Sequence, residues 1–127
     1  MQSQPKVSIV TPSFNQGHFL EETIQSVLNQ DYPNIEYIII DGGSKDNSVE
    51  IVKKHESRLA YWQSKPDNGQ TDAINQGFAR ATGDILAWLN SDDILLPGAV
   101  SAAVQKLAEN PYAGMVYGDC WLINAEG

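Results

Sequence analysis

Two adjacent carboxylates, Asp92 and Asp93, follow an apolar run at residues 85–89. Ionised carboxyl groups that stand side by side repel each other, and they lose hydration where a fold draws them toward its interior. A hard divalent cation relieves this repulsion, because Mg²⁺ and Mn²⁺ bind carboxylates together with the oxygens of substrate phosphates. If the strand continues to Asp92, the amide of Asn90 projects to the same face. This pattern indicates a metal-assisted site for a phosphorylated ligand.

The segment also has a plainer interpretation, in which Asp93 serves a turn and Asp92 is solvated by water. Short motif matches are weak evidence when they stand alone. The metal interpretation therefore depends on whether other polar segments of the chain meet at the same place.

Short apolar runs alternate with amphipathic segments along the chain, and this alternation predicts an α/β fold. We predict strands at residues 7–11, 35–40, 59–62, 85–89 and 114–119. We predict helices in the four intervals, the third capped by Thr71 and the fourth with Pro97 in its first turn. The unbroken Ile38, Ile39 and Ile40 are typical of a strand that is covered on both faces. The order predicts a three-layer α/β/α sandwich, Rossmann-like, with a mostly parallel open sheet.

Composition limits the class of protein. The 127 residues, 42% hydrophobic and 19% charged, are expected to form a single domain at residues 1–127. The net charge of −8 argues against nucleic acid or an anionic membrane surface as a partner. No apolar run approaches the roughly 20 residues that span a bilayer. The single cysteine, Cys120, is interpreted as an apolar filler and is typical of a cytoplasmic location.

Polar, turn-forming segments follow four of the predicted strands, at residues 11–17, 41–46, 65–72 and 90–93. Open α/β sheets bind ligands beyond the carboxyl ends of their strands, so we expect these segments to form one polar rim. The sequence has neither a G-x-G-x-x-G turn after the first strand nor a G-x-x-x-x-G-K-[ST] loop. With only eight Lys and Arg residues, the chain needs a metal ion to meet the charge of a diphosphate.

Four motifs, in order, resemble those of family 2 glycosyltransferases of the GT-A fold. They are VSIVTPSFN at residues 7–15, IIIDGGSKD at 38–46, NG followed by AINQG within 68–77, and GDI at 83–85 leading into NSDD at 90–93. The resemblance covers the chain from about Lys6 onward. It implies a nucleotide-sugar donor, a divalent metal (Mg²⁺ or Mn²⁺), a glycan, glycolipid or other hydroxyl acceptor, and transfer with inversion. A role in cell envelope polysaccharide biosynthesis would follow.

The resemblance also implies residue roles. Thr11 and Pro12 would line the base and ribose pocket, and Asp41 would hydrogen-bond the base, typically uracil. Asp92 would be the metal-binding carboxylate of the D-x-D element, with Asp93 as the second candidate metal ligand. The full implied donor-binding set is Thr11, Pro12, Ser13, Asn15, Asp41, Gly42, Lys65, Asp67, Asn68, Gly69, Asp72, Asn90, Ser91 and Asp92.

The chain departs from the family pattern at three positions. Asn90 replaces the first acidic residue of D-x-D, Ile74 replaces a common arginine, and Gly42 replaces a second acidic residue. In such enzymes the general base lies well after D-x-D, so we expect it beyond Gly127 and interpret Asp119 as a turn or sugar contact. We therefore expect that the chain is truncated. Membrane association and oligomerisation of the full-length protein are left open by the sequence.

Two alternatives from other classes remain open. The first is a nucleotide-binding or assembly module without turnover, because the acceptor half is missing. The second is a phosphotransfer domain that uses an aspartate at a strand end, although its D-x-D-x-T pattern is absent.

Overall fold

The structure, a computed structural model, describes residues 4–118 and Leu122. Its strands are β1 (Val7–Ser13), β2 (Ile35–Asp41), β3 (Tyr61–Ser64) and β4 (Ile85–Trp88). Its helices are α1 (Gly17–Leu28), α2 (Ser48–Lys54), α3 (Gln70–Arg80) and α4 (Ala99–Glu109), with a short 3₁₀ turn at Glu56–Arg58. Within the described residues, no helix is long and apolar enough to cross a membrane.

The strands form one parallel sheet in the order β3-β2-β1-β4. β1 pairs with β2 along its whole length, from Val7 opposite Ile35 to Ser13 opposite Asp41. The carboxyl ends of the two central strands therefore lie side by side. The predicted open parallel α/β architecture is confirmed.

Helices cover both faces of the sheet and create two cores. The larger core joins the sheet to α1, α2 and α4 through residues that include Ile9, Leu20, Ile24, Ile39 and Val52. The smaller core lies under α3 and contains Val10, Ile38, Ile40 and Ala73. All three consecutive isoleucines of β2 are buried, because Ile39 packs in the larger core and Ile38 and Ile40 pack in the smaller one.

Several sequence-based boundaries were wrong. β1 and β2 extend to Ser13 and Asp41, so these residues belong to strands and not to the loops that follow them. β3 begins two residues later than predicted, and α3 is preceded by Gly69 instead of being capped by Thr71. Residues 114–118 form no strand, and Asp119 lies outside the described residues.

β4 is less buried than its composition predicts. Leu86 and Trp88 are 51% and 55% exposed, so these two side chains do not belong to the core. Their register partners on β1 are Ser8 and Val10, on the face that α3 covers. Helix α3 contacts β1 and β2, and this part of β4 remains uncovered among the described residues.

The amino-terminal edge of the sheet is closed by a hydrogen-bond network around Glu36. Its carboxylate accepts hydrogen bonds from Ser8 Oγ (2.7 Å), Thr82 N (2.9 Å) and Thr82 Oγ1 (2.7 Å). Ser8 Oγ in turn accepts a hydrogen bond from Gly83 N (2.9 Å). Burial raises the pKa of Glu36, but the hydrogen bonds from Thr82 and Ser8 outweigh it and lower the pKa overall.

Candidate functional site

A cavity of about 500 Å³ opens at the carboxyl edge of the sheet, where the four polar segments meet. Its size falls within the range of small-molecule sites. It is lined by Pro12, Ser13, Phe14, Gln16, Gly42, Asp67, Gly69, Gln70, Ala73, Asn90, Ser91 and Asp92. The predicted polar rim therefore exists, and it is contributed by the ends of β1, β2 and β4 together with the start of α3.

Ser13 is the most informative residue of the cavity wall. Its side chain is only 4% exposed, and its Oγ is the one buried side-chain polar atom without a hydrogen-bond partner among the described residues. An unpaired buried hydroxyl costs roughly 1–3 kcal/mol. A hydroxyl that lacks a partner and lines a cavity is a ready contact for a polar ligand.

Asp41 lies opposite Ser13 in the register but does not line the cavity. It is fully buried, and its carboxylate accepts hydrogen bonds from Gly43 N (3.1 Å), Ser44 N (2.8 Å), Ser44 Oγ (2.6 Å) and Ser64 Oγ (2.7 Å). These bonds hold the loop after β2 in place. Gly43 occupies a positive φ of 87° in this loop, a conformation that favours glycine.

The loop before α3 approaches the loop after β2 closely. A Cβ on Gly42 would lie 3.0 Å from both carboxylate oxygens of Asp67, so the glycine permits this contact. Asp67 Oδ1 accepts a hydrogen bond from Gly69 N (2.9 Å), and Asp72 Oδ2 accepts one from Asn68 N (2.9 Å). The two carboxylates therefore satisfy the backbone N–H groups just ahead of α3.

The segment after β4 forms a turn and does not continue the strand to Asp92. Asp93 N donates a hydrogen bond to Asn90 O (3.1 Å), which places Ser91 and Asp92 at the centre of the turn. Gln70 Nε2 donates to Asn90 Oδ1 (2.5 Å) and links the turn to α3. Asp92 is exposed and lines the cavity, whereas Asp93 is exposed and does not.

Other residues implied by the family resemblance lie away from the cavity wall. Thr11 is fully buried on the sheet, and its Oγ1 hydrogen-bonds the hydroxyl of Tyr37 (2.8 Å), whose pKa is raised by burial. Asn15 has a positive φ of 52°, and its Oδ1 accepts a hydrogen bond from Lys45 N (2.9 Å). Lys65, Asn68 and Asp72 are also outside the lining, as is Asp41.

Four lining residues were missed by the sequence analysis: Phe14, Gln16, Gln70 and Ala73. Phe14 is 59% exposed, and its position inside the first polar segment was the available signal. Gln16 and Gln70 likewise lie inside the first and third polar segments, whereas Ala73 carries no chemical signal in the sequence and reaches the cavity only through the orientation of α3.

The side chains of the cavity supply few ligands for the expected metal ion. Within the described part of the chain, no group of three or more His, Cys, Asp or Glu residues is arranged to hold a metal by itself. The donors at the cavity, Asp92 with the nearby amide of Asn90, fit Mg²⁺ or Mn²⁺ only if the ligand supplies the remaining oxygens. Mg²⁺ is commonly bound in this way, through one or two carboxylates and substrate phosphates.

The fold and the site together define an α/β domain with a ligand cavity at the carboxyl edge of a parallel sheet. The family model described as "Glycosyl transferase family 2" matches residues 8–124. A protein of Mycobacterium tuberculosis named as a glycosyltransferase is 47% identical over 110 residues, which cover 85% of this chain and 42% of the relative. The chain belongs to glycosyltransferase family 2.

A second relative, from Campylobacter jejuni, is named GalNAc(5)-diNAcBac-PP-undecaprenol beta-1,3-glucosyltransferase. It is 37% identical over 127 residues, which cover 97% of this chain and 40% of the relative. The chain thus spans about two fifths of the length of both relatives.

Solved structures agree on the fold. The mannosyltransferase PcManGT of Pyrobaculum calidifontis, in complex with GDP-Man and Mn²⁺, superposes with a TM-score of 0.77 at 25% identity, over 86% of this chain and 34% of that one. TarS of S. aureus, in complex with UDP-GlcNAc, superposes with a TM-score of 0.76 at 23% identity, over 84% of this chain and 32% of TarS. Both are GT-A glycosyltransferases, and the expected GT-A fold is confirmed.

Proposed function

We propose that this chain is the donor-binding portion of a glycosyltransferase that moves a sugar from a nucleotide sugar, with UDP as the nucleotide, to an acceptor hydroxyl. The observation that carries the proposal is the cavity at the carboxyl edge of the sheet. It unites Ser13, Gly42, Asp67 and Asp92 from four separate segments, and one of its walls holds a buried hydroxyl without a partner.

The charge balance of the cavity supports a metal-assisted site. Its lining contains two carboxylates, Asp67 and Asp92, and no Lys or Arg. A diphosphate would be repelled from such a surface unless a cation came with it. The Mn²⁺ complex of PcManGT with GDP-Man provides a precedent for that combination in a related fold.

The roles of the chain's own residues follow from their positions. Asp92 would hold the metal, and Ser13 Oγ would donate a hydrogen bond to the nucleotide. The exposed ring of Phe14 offers an apolar face at the cavity for a base or a sugar. When bound, the metal would supply positive charge that stabilises the departing nucleoside diphosphate.

The base-reading role of Asp41 stays a prediction. Its Oδ2 accepts three hydrogen bonds and its Oδ1 accepts one, from Ser44 Oγ, so Oδ1 has capacity for another donor. The carboxylate is fully buried and does not line the cavity, so a base N–H reaches it only if the surrounding loop moves. Likewise, inversion at the anomeric carbon requires a general base that takes the acceptor's proton, and we place this base beyond Gly127.

The acceptor proposed is a glycolipid or polysaccharide hydroxyl of the cell envelope. The name of the Campylobacter jejuni relative, a glucosyltransferase acting on an undecaprenol-linked glycan, supports this class. A cytoplasmic location with membrane association of the full-length protein would suit such an acceptor.

Isothermal titration tests the donor site directly. UDP, GDP and CMP are titrated into the chain with and without Mn²⁺, and Mg²⁺ replaces Mn²⁺ in a third series. We expect UDP to bind at least tenfold more tightly with metal than without it. If none of the three nucleotides binds in the presence of either metal, the proposed function is wrong.

A transfer assay on the same sample tests where the general base lies. UDP-glucose and UDP-N-acetylglucosamine are incubated with the chain and a polyprenyl-linked glycan acceptor. Because we place the base beyond Gly127, we expect the chain to bind the donor without transferring the sugar, whereas transfer would locate the base within the chain and exclude the alternative of a nucleotide-binding module.

A further inference from the structure

Helix α1 presents a row of polar side chains to the segment that follows β4. Thr23 Oγ1 lies 2.7 Å from Asp93 O and 3.0 Å from Ser91 O, and it donates its hydrogen to this pair of carbonyls. Three residues later, Ser26 Oγ accepts a hydrogen bond from Leu95 N (3.1 Å). These contacts join residues that are about 70 positions apart in the sequence.

Gln30, just beyond the end of α1, continues the same row. Its Nε2 donates to Leu96 O (2.9 Å), and its Oε1 accepts from Val100 N (3.1 Å) at the start of α4. The spacing of three and four residues places all three side chains on one face of the helix and its extension. The chain from Ser91 to Val100 is therefore held along α1 at successive points.

Thr23 is unusual among these residues because it is fully buried. Its neighbours Leu20, Ile24 and Val27 are apolar and at most 1% exposed, so a branched apolar residue would suit the position by packing alone. Burying a hydroxyl is unfavourable unless it is hydrogen-bonded. Its hydroxyl also lies 3.3 Å from Phe19 O on its own helix, but the two shorter contacts are to the carbonyls on either side of Asp92, the carboxylate that lines the cavity.

We propose that Thr23, supported by Ser26, is a positioning residue that holds the turn of Asp92 in its binding geometry before the ligand arrives. The inference rests on the proposed function, since it assumes that Asp92 meets a metal-bound nucleotide. A site that is preorganised in this way loses less conformational entropy on binding, and a shift of about 1 Å in such a group is costly.

The test compares Thr23→Val with Thr23→Ser. Valine keeps the volume and removes the donor, whereas serine keeps the donor. The quantity measured is the metal enhancement, defined as the Kd of UDP without Mn²⁺ divided by the Kd with Mn²⁺. We expect Thr23→Val to lower this ratio about tenfold while it changes the metal-free Kd less than twofold, and Thr23→Ser to restore the ratio to within threefold of wild type.

Thr82→Val provides a control for the same substitution far from the turn. The hydroxyl of Thr82 is exposed; it donates to Glu36 and accepts from Lys6 at the opposite edge of the sheet, so this variant loses side-chain hydrogen bonds but no contact to the turn. Its metal enhancement should equal that of wild type even if its melting temperature falls. A merely structural role for Thr23 would lower affinity with and without metal alike and leave the ratio unchanged.

The outcomes separate the two proposals. A wild-type chain that binds none of the nucleotides refutes the proposed function, whereas one that binds UDP equally well without Mn²⁺ refutes the metal role and, with it, this inference. A wild type that responds, together with a Thr23→Val variant that responds equally, refutes the positioning role alone. Should Thr23→Val fail to fold, Ser26→Ala decides the question: a twofold to fivefold lower ratio supports the inference, and an unchanged ratio overturns it.

Discussion

Asp92 and Asp93 are adjacent in the chain, but only Asp92 lines the cavity. In the turn that begins at Asn90, Asp93 N donates to Asn90 O and the carbonyl of Asp93 accepts from Thr23 on α1. The backbone of Asp93 is thus bound to the turn and to the helix, whereas Asp92 contributes to the cavity wall. We propose Asp92, and not Asp93, as the metal ligand.

This difference predicts opposite behaviour for two otherwise identical substitutions. Asp92→Asn should weaken UDP binding in Mn²⁺ at least tenfold, because the charge that would hold the metal is removed, while Asp93→Asn should change it less than twofold. Titration calorimetry in Mn²⁺ measures both. A larger loss in the Asp93 variant would show that the turn opens on binding and would contradict the assignment.

Alanine substitutions at Ser13 and Ser8 are expected to have opposite effects on stability. Ser13→Ala removes an unpaired buried hydroxyl, so we expect unchanged stability or a gain of up to about 1 kcal/mol, with UDP affinity about fivefold weaker. Ser8→Ala breaks the bonds to Glu36 and Gly83 and should cost about 2 kcal/mol. Urea unfolding and calorimetry test the pair. A marked loss of stability in Ser13→Ala would mean that its hydroxyl is already satisfied.

Close contact between α3 and β1 depends on Gly77. A Cβ at this position would lie 2.4 Å from Val10 Cγ1 and 2.7 Å from Cγ2, and Val10 is fully buried. Overpacking costs about 1–3 kcal/mol, and alanine gains roughly 1 kcal/mol over glycine in a helix, so the net cost is at most about 2 kcal/mol. Because the contact to Val10 is so short, Gly77→Ala should destabilise the chain toward that upper value in urea unfolding.

The control for this substitution is Gly114→Ala, where no atom lies within 4 Å of the added Cβ. Its stability should stay within about 0.5 kcal/mol of wild type. Equal stability of the two variants would mean that α3 shifts freely on the sheet.

The lowered pKa of Glu36 predicts that the folded chain loses stability at acid pH. Its pKa in the folded chain lies below the ordinary value of 4.5, so the ionised form binds its partners more strongly in the folded state. The stabilisation is complete above pH 4.5 and is lost as the pH falls through the folded pKa. Since the side chain is partly exposed, we expect about 1 kcal/mol from this group at neutral pH.

Glu36→Gln isolates that contribution, because glutamine keeps the shape and does not titrate. The melting temperatures of wild type and variant should differ most above pH 5 and converge toward pH 3. Parallel curves over the whole range would show that the network does not stabilise the ionised carboxylate.

The sequence determined the architecture of this protein. The alternation of apolar strands with amphipathic helices predicted a parallel sheet in three layers, because hydrophobic periodicity depends only on local spacing. The ordered motifs predicted that residues such as Ser13, Gly42, Asp67 and Asp92 would meet at the carboxyl ends of the strands. The second prediction also needed the rule that ligands bind beyond the carboxyl ends of parallel strands, which share one edge of the sheet.

The tertiary structure decided which of those residues face the cavity. Thr11 and Asp41 carry suitable chemistry, but burial and hydrogen bonds to Tyr37, Ser44 and Ser64 use their polar atoms elsewhere. Thr23, which resembles an ordinary helix residue in the sequence, contacts the turn of Asp92 across about 70 positions. Such contacts depend on how α1 lies against the segment that follows β4, and local sequence patterns do not give the distances between segments that are far apart in the chain.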